Sequence, residues 1–255
     1  MMRKSRNRKM NKAQKEAMGI VDHLGEVRKR LFIAIGSFIL LSLATFSYVD
    51  DVIQFLIQNS KDLGYQLVYL TPSELFTQYI KISLIAGIAL ASPIILYQIW
   101  AFIKPGLEKG EKRVVFLSLF FGMICFVMGV VFAYIVVVPT MFHFLMNVDQ
   151  NNIVAPTISI QSYINFILST LIMFGIVFEL PVITVLLSEL GLIRAEWMVK
   201  SRKIVIVFLF IVGALITPPD IISQVLVAIP ILILFEFSIV LSRIIGARKK
   251  KRSGE

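Results

Sequence analysis

The stretch VVFLSLFFGMICFVMGVVFAYIVVV, Val114 to Val138, runs for 25 residues without one charged side chain. A helix of that length covers about 37 Å at ~1.5 Å per residue, more than the ~30 Å hydrocarbon core of a bilayer. Outward from it, Ile82 to Ile103 (22 residues) and Leu31 to Val49 (19 residues) are also uncharged, and Tyr163 to Leu187 (25 residues) holds a single acid, Glu179. All four are long enough to span a membrane. Two weaker segments follow. Ile204 to Ile216 has 13 residues, or ~20 Å of helix, which falls short of the core. Ile221 to about Leu241 has an uncharged run of 15 residues before Glu236. The turn Thr217-Pro218-Pro219-Asp220 joins these two, so they read as a stunted hairpin.

Composition agrees with a membrane solvent. Of 255 residues, 57% are hydrophobic and 16% charged, where an average soluble domain is nearer 25% charged. The net charge of +10 would suggest nucleic acid as a partner in a soluble domain, but the cations flank the apolar runs instead of forming a separate basic domain. Nucleic acid is therefore not expected. Cys125 is the single cysteine, which excludes an intrachain disulfide and a metal site of paired thiolates.

The sequence thus predicts an all-α integral membrane protein with six transmembrane helices, the last two short. Lys and Arg number ten before the first segment, then two, four, none, four and none between segments, and six after the last. The positive-inside rule places both termini on the cytoplasmic side. The apolar run at Leu31 is longer than a secretory h-region of about 7–15 residues, and no A-x-A-like site follows it before Asp50-Asp51, so it reads as a span. The division expected is a basic arm and amphipathic segment over 1–30, a six-helix domain over 31–245 and a basic tail over 246–255. Between the spans, Val52 to Ile57 and Thr140 to Val148 predict short interfacial helices.

Enzyme signatures are missing: the chain has no G-x-x-x-x-G-K-[ST], H-E-x-x-H or G-x-S-x-G, and His23 and His143 fall on opposite sides. Neither an enzyme activity nor a cofactor or metal is expected. Three places carry other chemistry. Just before the first span, Asp22 and Glu26 share a helix face, a like-charge spacing that favours a cationic neighbour. Either a cationic ligand or Arg30, at i+4 from Glu26, supplies it. The loop Lys104 to Arg113 holds Glu108 and Glu111 among four basic groups. Within the fourth span, Glu179 costs about 3 kcal/mol on insertion scales; it serves either as a hydrogen-bonding group at the kink made by Pro181 or in proton or substrate passage. Glu236 has the same two readings. Gln98, Tyr97, Thr217 and Gln224 are further polar groups in or beside spans. Gly87/Ala91 and Gly129/Ala133 are small-xxx-small pairs suited to close helix packing.

Four ordered blocks carry a family resemblance: His23-Leu24-Gly25-Glu26-Val27-Arg28-Lys29-Arg30-Leu31; Ser92-Pro93-Ile94-Ile95-Leu96-Tyr97-Gln98-Ile99-Trp100-Ala101-Phe102-Ile103-Lys104-Pro105-Gly106-Leu107; Phe178-Glu179-Leu180-Pro181; and Thr217-Pro218-Pro219-Asp220 with Gln224. From about Val21 to Arg243 the chain resembles the TatC family, the multispanning subunit of the twin-arginine protein translocase. The resemblance implies a glove-like six-helix bundle in the bacterial plasma membrane. It implies a receptor for twin-arginine signal peptides that exports folded proteins using the proton-motive force. Glu26, Arg28, Phe102 and Glu111 would form the signal-peptide site. Thr217 and Gln224 would face single-span partners of the TatA or TatB type, and several copies would assemble in the complex. The first loop, Asp50 to Ile80, lacks the proline near the first span that some members carry.

The rival reading is a proton-coupled small-solute secondary transporter built on Glu179. The missing internal repeat and the stunted last hairpin speak against it. A non-catalytic scaffold is the third reading, and it predicts indifference to charge reversal at Glu26.

Overall fold

The computed structural model describes residues 25–62, 66–106, 109–146, 157–216 and 221–253. In chain order the elements are α1 (Gly25–Phe46), α2 (Val49–Asp62), β1 (Gln66–Val68), α3 (Pro72–Ile103), a 3-10 turn (Lys104–Gly106), α4 (Lys109–Phe132), a π-helical turn (Ala133–Val137), α5 (Val138–Met146), β2 (Thr157–Ser159), α6 (Ile160–Phe178), α7 (Leu180–Glu189), α8 (Ala195–Ile216) and α9 (Ile221–Ser253). The protein is mostly helical. Among the described residues, five stretches are long and apolar enough to cross a membrane: Gly25–Phe46, Pro72–Ile103, Lys112–Phe144, Ile160–Glu189 and Gln224–Arg248.

Helix boundaries follow local chemistry. Pro72 sits in the first turn of α3, where a missing N–H costs nothing. Glu74 in the same turn is buried and accepts from the Leu70 N–H (3.3 Å) and the Ser159 hydroxyl (3.1 Å). Ser159 also caps α6, its hydroxyl accepting the Gln161 N–H at 3.2 Å. The fourth apolar segment breaks at Glu179, between α6 and α7, with Pro181 in the first turn of α7. Gly191, at φ 77°, ends α7. The Leu192 N–H returns to the Leu187 carbonyl at 2.9 Å and the Gly191 N–H to that of Ser188 at 3.1 Å, the paired bonds of a Schellman stop.

The last two helices differ from expectation. Their apolar runs are short, but α8 has 22 residues and α9 has 33. Both extend into charged sequence, Ala195 to Lys203 in α8 and Arg243 to Arg252 in α9, whose Ala, Glu, Lys and Arg are strong helix formers. The expected tail over 246–255 accordingly begins as helix.

Helix α4 packs mainly on α6, and α7 and α8 pack on α9. One buried cluster joins Val49, Ile53 and Leu56 of α2 to Ile82, Phe142, Tyr163, Ile164 and Ile167. The fully covered Tyr163 donates to the Leu56 carbonyl at 3.0 Å. A second cluster joins Ala133, Val137 and Met141 to Met173, Phe174, Val227 and Ile231. The segments Val52 to Ile57 and Thr140 to Met146 are helical, in α2 and in α5, which continues the stretch Lys112–Phe144; residues 147 and 148 lie outside the described residues. Strands β1 and β2 pair in parallel, Gln66 with Thr157, Leu67 with Ile158 and Val68 with Ser159, tying the loop before α3 to the loop before α6.

The small residues mark close helix crossings. A Cβ on Gly87 would lie 2.6 Å from the Ser42 Cα, so α1 and α3 touch backbone to backbone there. Beside it the Thr45 hydroxyl donates to the Ser83 carbonyl at 3.0 Å. A Cβ on Gly129 would lie 2.5 Å from the Phe174 carbonyl oxygen, and Ala91 and Ala133 are fully buried.

Candidate functional site

The first turn of α1 presents Glu26, and one turn later Arg30 folds its guanidinium back onto it. Arg30 Nε donates at 3.0 Å and Nη2 at 2.5 Å, both to Glu26 Oε1. This is the i, i+4 pairing that spacing allows. Arg30 Nη1 reaches on to Gln98 Oε1 at 3.4 Å. A bond across 68 residues thus ties the start of α1 to the last turns of α3. Glu26 Oε2 makes no hydrogen bond among the described residues, and the Glu26 side chain is 36% exposed.

Phe102 follows Gln98 by four residues and shares its face of α3; it is half-buried. The chain then passes through the Lys104–Gly106 turn into α4, whose first turn holds Glu111. Glu26, Gln98 and Phe102 therefore gather at the end of the bundle where α3 gives way to α4. The Glu111 side chain lies outside the described residues. Arg28 departs from the group, its guanidinium standing 5.6 Å over the Phe32 ring.

Glu179 stands elsewhere, at the α6–α7 junction. Its side chain does not cap α7 and makes no hydrogen bond at the kink among the described residues. It crosses to α4 and lies against Gly122. Burial against the bare glycine backbone, not the carbonyl freed by Pro181, accommodates it. Glu236 is paired: Arg202 Nη2 of α8 donates to its Oε2 at 2.6 Å. Thr217 lies outside the described residues. Gln224 is half-buried in the first turn of α9. Among the described residues, no three His, Cys, Asp or Glu side chains form a group able to hold a metal.

The sequence had singled out neither Gly122 as the neighbour of Glu179 nor Gln98 as the second partner of Arg30. Gly122 follows Val114 by eight residues in an apolar run of mostly large side chains, where a glycine, like Gly129 further on, is a legitimate sign of close approach. No local signal joins Arg30 to Gln98.

At this end of the bundle the Glu26 carboxylate has one oxygen engaged by a guanidinium and one open, a group whose chemistry suits planar cations. Comparison with known proteins gives the family. The family described as Sec-independent protein translocase protein (TatC) matches residues 22–230. The Sec-independent protein translocase protein TatC of Carboxydothermus hydrogenoformans is 41% identical over 239 residues, 93% of this chain and 97% of that protein. The TatC protein of Aquifex aeolicus is 40% identical over 238 residues, 92% and 98% of the two chains. A crystal structure described as the twin arginine translocase receptor TatC superposes with a TM-score of 0.77 at 38% identity, covering 88% of this chain and 99% of that one. The chain belongs to the TatC family and is a multi-pass membrane subunit of the Tat protein translocase.

Proposed function

We propose that the chain is the signal-peptide receptor of its translocase, and that Glu26 and Glu111 bind the paired arginines of the cargo's signal peptide beside Phe102. The observation that supports this is the Glu26–Arg30–Gln98 arrangement. A guanidinium already occupies one oxygen of Glu26, giving two N–H groups to Oε1 alone. The open oxygen, or displacement of Arg30, accommodates the ligand. A carboxylate binds the flat guanidinium fork with two parallel hydrogen bonds where an ammonium makes a point contact, so two acids would prefer Arg-Arg to Lys-Lys.

The rest of the reading follows the family. Six spans cross the bacterial plasma membrane, α8 doing so with the shortest apolar run, Ile204 to Ile216, and both termini are cytoplasmic by the charge asymmetry. Capture recruits single-span TatA- or TatB-type partners along α8 and α9, where Thr217 and Gln224 offer interhelical hydrogen bonds. Several copies act together, and the proton-motive force drives export of folded cargo. Replacing Glu26 or Glu111 with Ala is expected to abolish export of a twin-arginine cargo while the chain still inserts in the membrane. Normal export in either variant would overturn the assignment.

A further inference from the structure

Beyond the receptor end of α1, the α3–α4 hairpin carries an open apolar groove. Pro93, Leu96, Tyr97 and Trp100 form one wall, and Phe116, Leu119, Phe120 and Met123 the other, around about 200 Å³. That volume lies below the ~300–1,000 Å³ of sites for drug-sized solutes. Tyr97, Phe116 and Phe120 are half exposed, so the groove faces outward from the bundle. One of its ends is aromatic and basic. Trp100 meets Phe116 edge to face at 5.4 Å between ring centroids, and the Lys104 ammonium stands 4.6 Å from the Trp100 ring centroid. Lys112 and Arg113 precede Phe116 by four and three residues, which puts them one turn beyond it on the same side of α4. The Trp100 indole N–H finds no acceptor among the described residues.

We propose that this groove is a binding site for one anionic phospholipid, its acyl chain lying between α3 and α4 and its phosphate among Lys104, Lys112 and Arg113. The groove wall is almost wholly apolar, which suits an alkyl chain. A tryptophan ring under a lysine ammonium marks the level where acyl chains meet headgroups. Three cations at that level favour a negative headgroup. Cations stand at the end of this groove, whereas carboxylates carry the site at Glu26 and Glu111, so the two take ligands of opposite charge. An occupied groove would brace the α3–α4 turn from the lipid side, next to the residues that present Phe102 and Glu111.

The chain has two tryptophans, Trp100 and Trp197, so Trp197→Phe leaves Trp100 as the sole tryptophan, excited at wavelengths where the tyrosines do not absorb. This variant is reconstituted in phosphatidylcholine vesicles carrying a fixed fraction of dibrominated phosphatidylglycerol or of dibrominated phosphatidylcholine. Brominated phosphatidylglycerol should quench Trp100 at several-fold lower mole fraction, with the preference falling about fivefold for each cation removed. In Lys104→Gln/Lys112→Gln/Arg113→Gln the two quenching curves should coincide. Equal quenching before the cations are removed, a preference that survives their removal, or no quenching by either lipid, as when a protein segment fills the groove, would overturn the site. A second measurement needs no tryptophan change: the native-sequence chain, released from nanodiscs of equal phosphatidylglycerol and phosphatidylcholine into a mass spectrometer, should retain phosphatidylglycerol, and the triple variant should not. Equal retention of the two lipids by the native-sequence chain would contradict the proposal.

Discussion

The Glu179 carboxylate rests on the bare backbone of Gly122: a Cβ there would lie 2.6 Å from Oε2 and 3.2 Å from Oε1. The acid of α6–α7 is thus accommodated by a missing side chain on α4, and the two positions should behave as a unit. Gly122→Ala is expected to lower stability by about 1 kcal/mol or less, because the Glu179 carboxylate is a side-chain tip that can swing aside. Adding Glu179→Ala should recover most of that, with a coupling of roughly 0.5–1 kcal/mol in a double-mutant cycle. Thermal unfolding in detergent reads both. Strict additivity would mean that the carboxylate does not occupy that space.

A contrast among glycines tests the helix crossings. Gly129→Ala drives a methyl against the Phe174 carbonyl, which cannot swing away as a side-chain tip would, whereas Gly36 of α1 has nothing within 4 Å of its Cβ position. Gly129→Ala should lower the midpoint of unfolding clearly. Gly36→Ala should be neutral or raise stability, since alanine is favoured over glycine in a helix by about 0.5–1 kcal/mol.

Tyr163 is 2% exposed and its hydroxyl donates to the Leu56 carbonyl. Tyr163→Phe keeps the ring and removes this bond while the Leu56 carbonyl keeps its helical partner within α2, at an expected cost of about 0.5–1.5 kcal/mol. Because Leu56 belongs to α2, the loss should register as faster proteolysis or hydrogen exchange within 49–62. Unchanged exchange there would show that the bond does not hold α2 down.

The Arg202–Glu236 pair connects α8 and α9 with side chains 40% and 50% exposed. As a pair at the membrane–water boundary, beside the charged start of α8, it should contribute ~0–1 kcal/mol and be screened by salt. Either Arg202→Gln or Glu236→Gln is expected to leave export near normal. A complete block by Glu236→Gln with stability intact would assign that acid a role in passage instead.

Much of this architecture was legible in the chain. The four long apolar runs lie in four of the five stretches able to cross a membrane, whereas the fifth, Gln224–Arg248, falls on a segment read as stunted; the amphipathic segments fall in α2 and α5, and the Gly/Ala pairs at 87/91 and 129/133 mark two close crossings. What escaped has physical reasons. Gln66 to Val68 and Thr157 to Ser159 are too short for any alternation to show, and their pairing depends on helices that bring distant loops together. The ends of α8 and α9 ran on because helix propensity does not stop at the membrane boundary. At the candidate site, the Glu26–Arg30 pair could be read from its i, i+4 spacing. The contact of Arg30 with Gln98 depends on how α1 leans on α3 at Ser42 and Gly87, which no local pattern encodes. The positions Glu26, Phe102 and Glu111 came from resemblance, which is why the chemistry at Glu26 needs its own test.

That test is site-specific photocrosslinking from positions 26 and 111, in native membranes, to one signal peptide carrying Arg-Arg and to the same peptide carrying Lys-Lys. The account predicts crosslinks from both positions to the Arg-Arg peptide and a large loss with Lys-Lys, because the ammonium cannot reproduce the two-pronged bond to a carboxylate. Equal crosslinking of the two peptides, or none from either position, would contradict it.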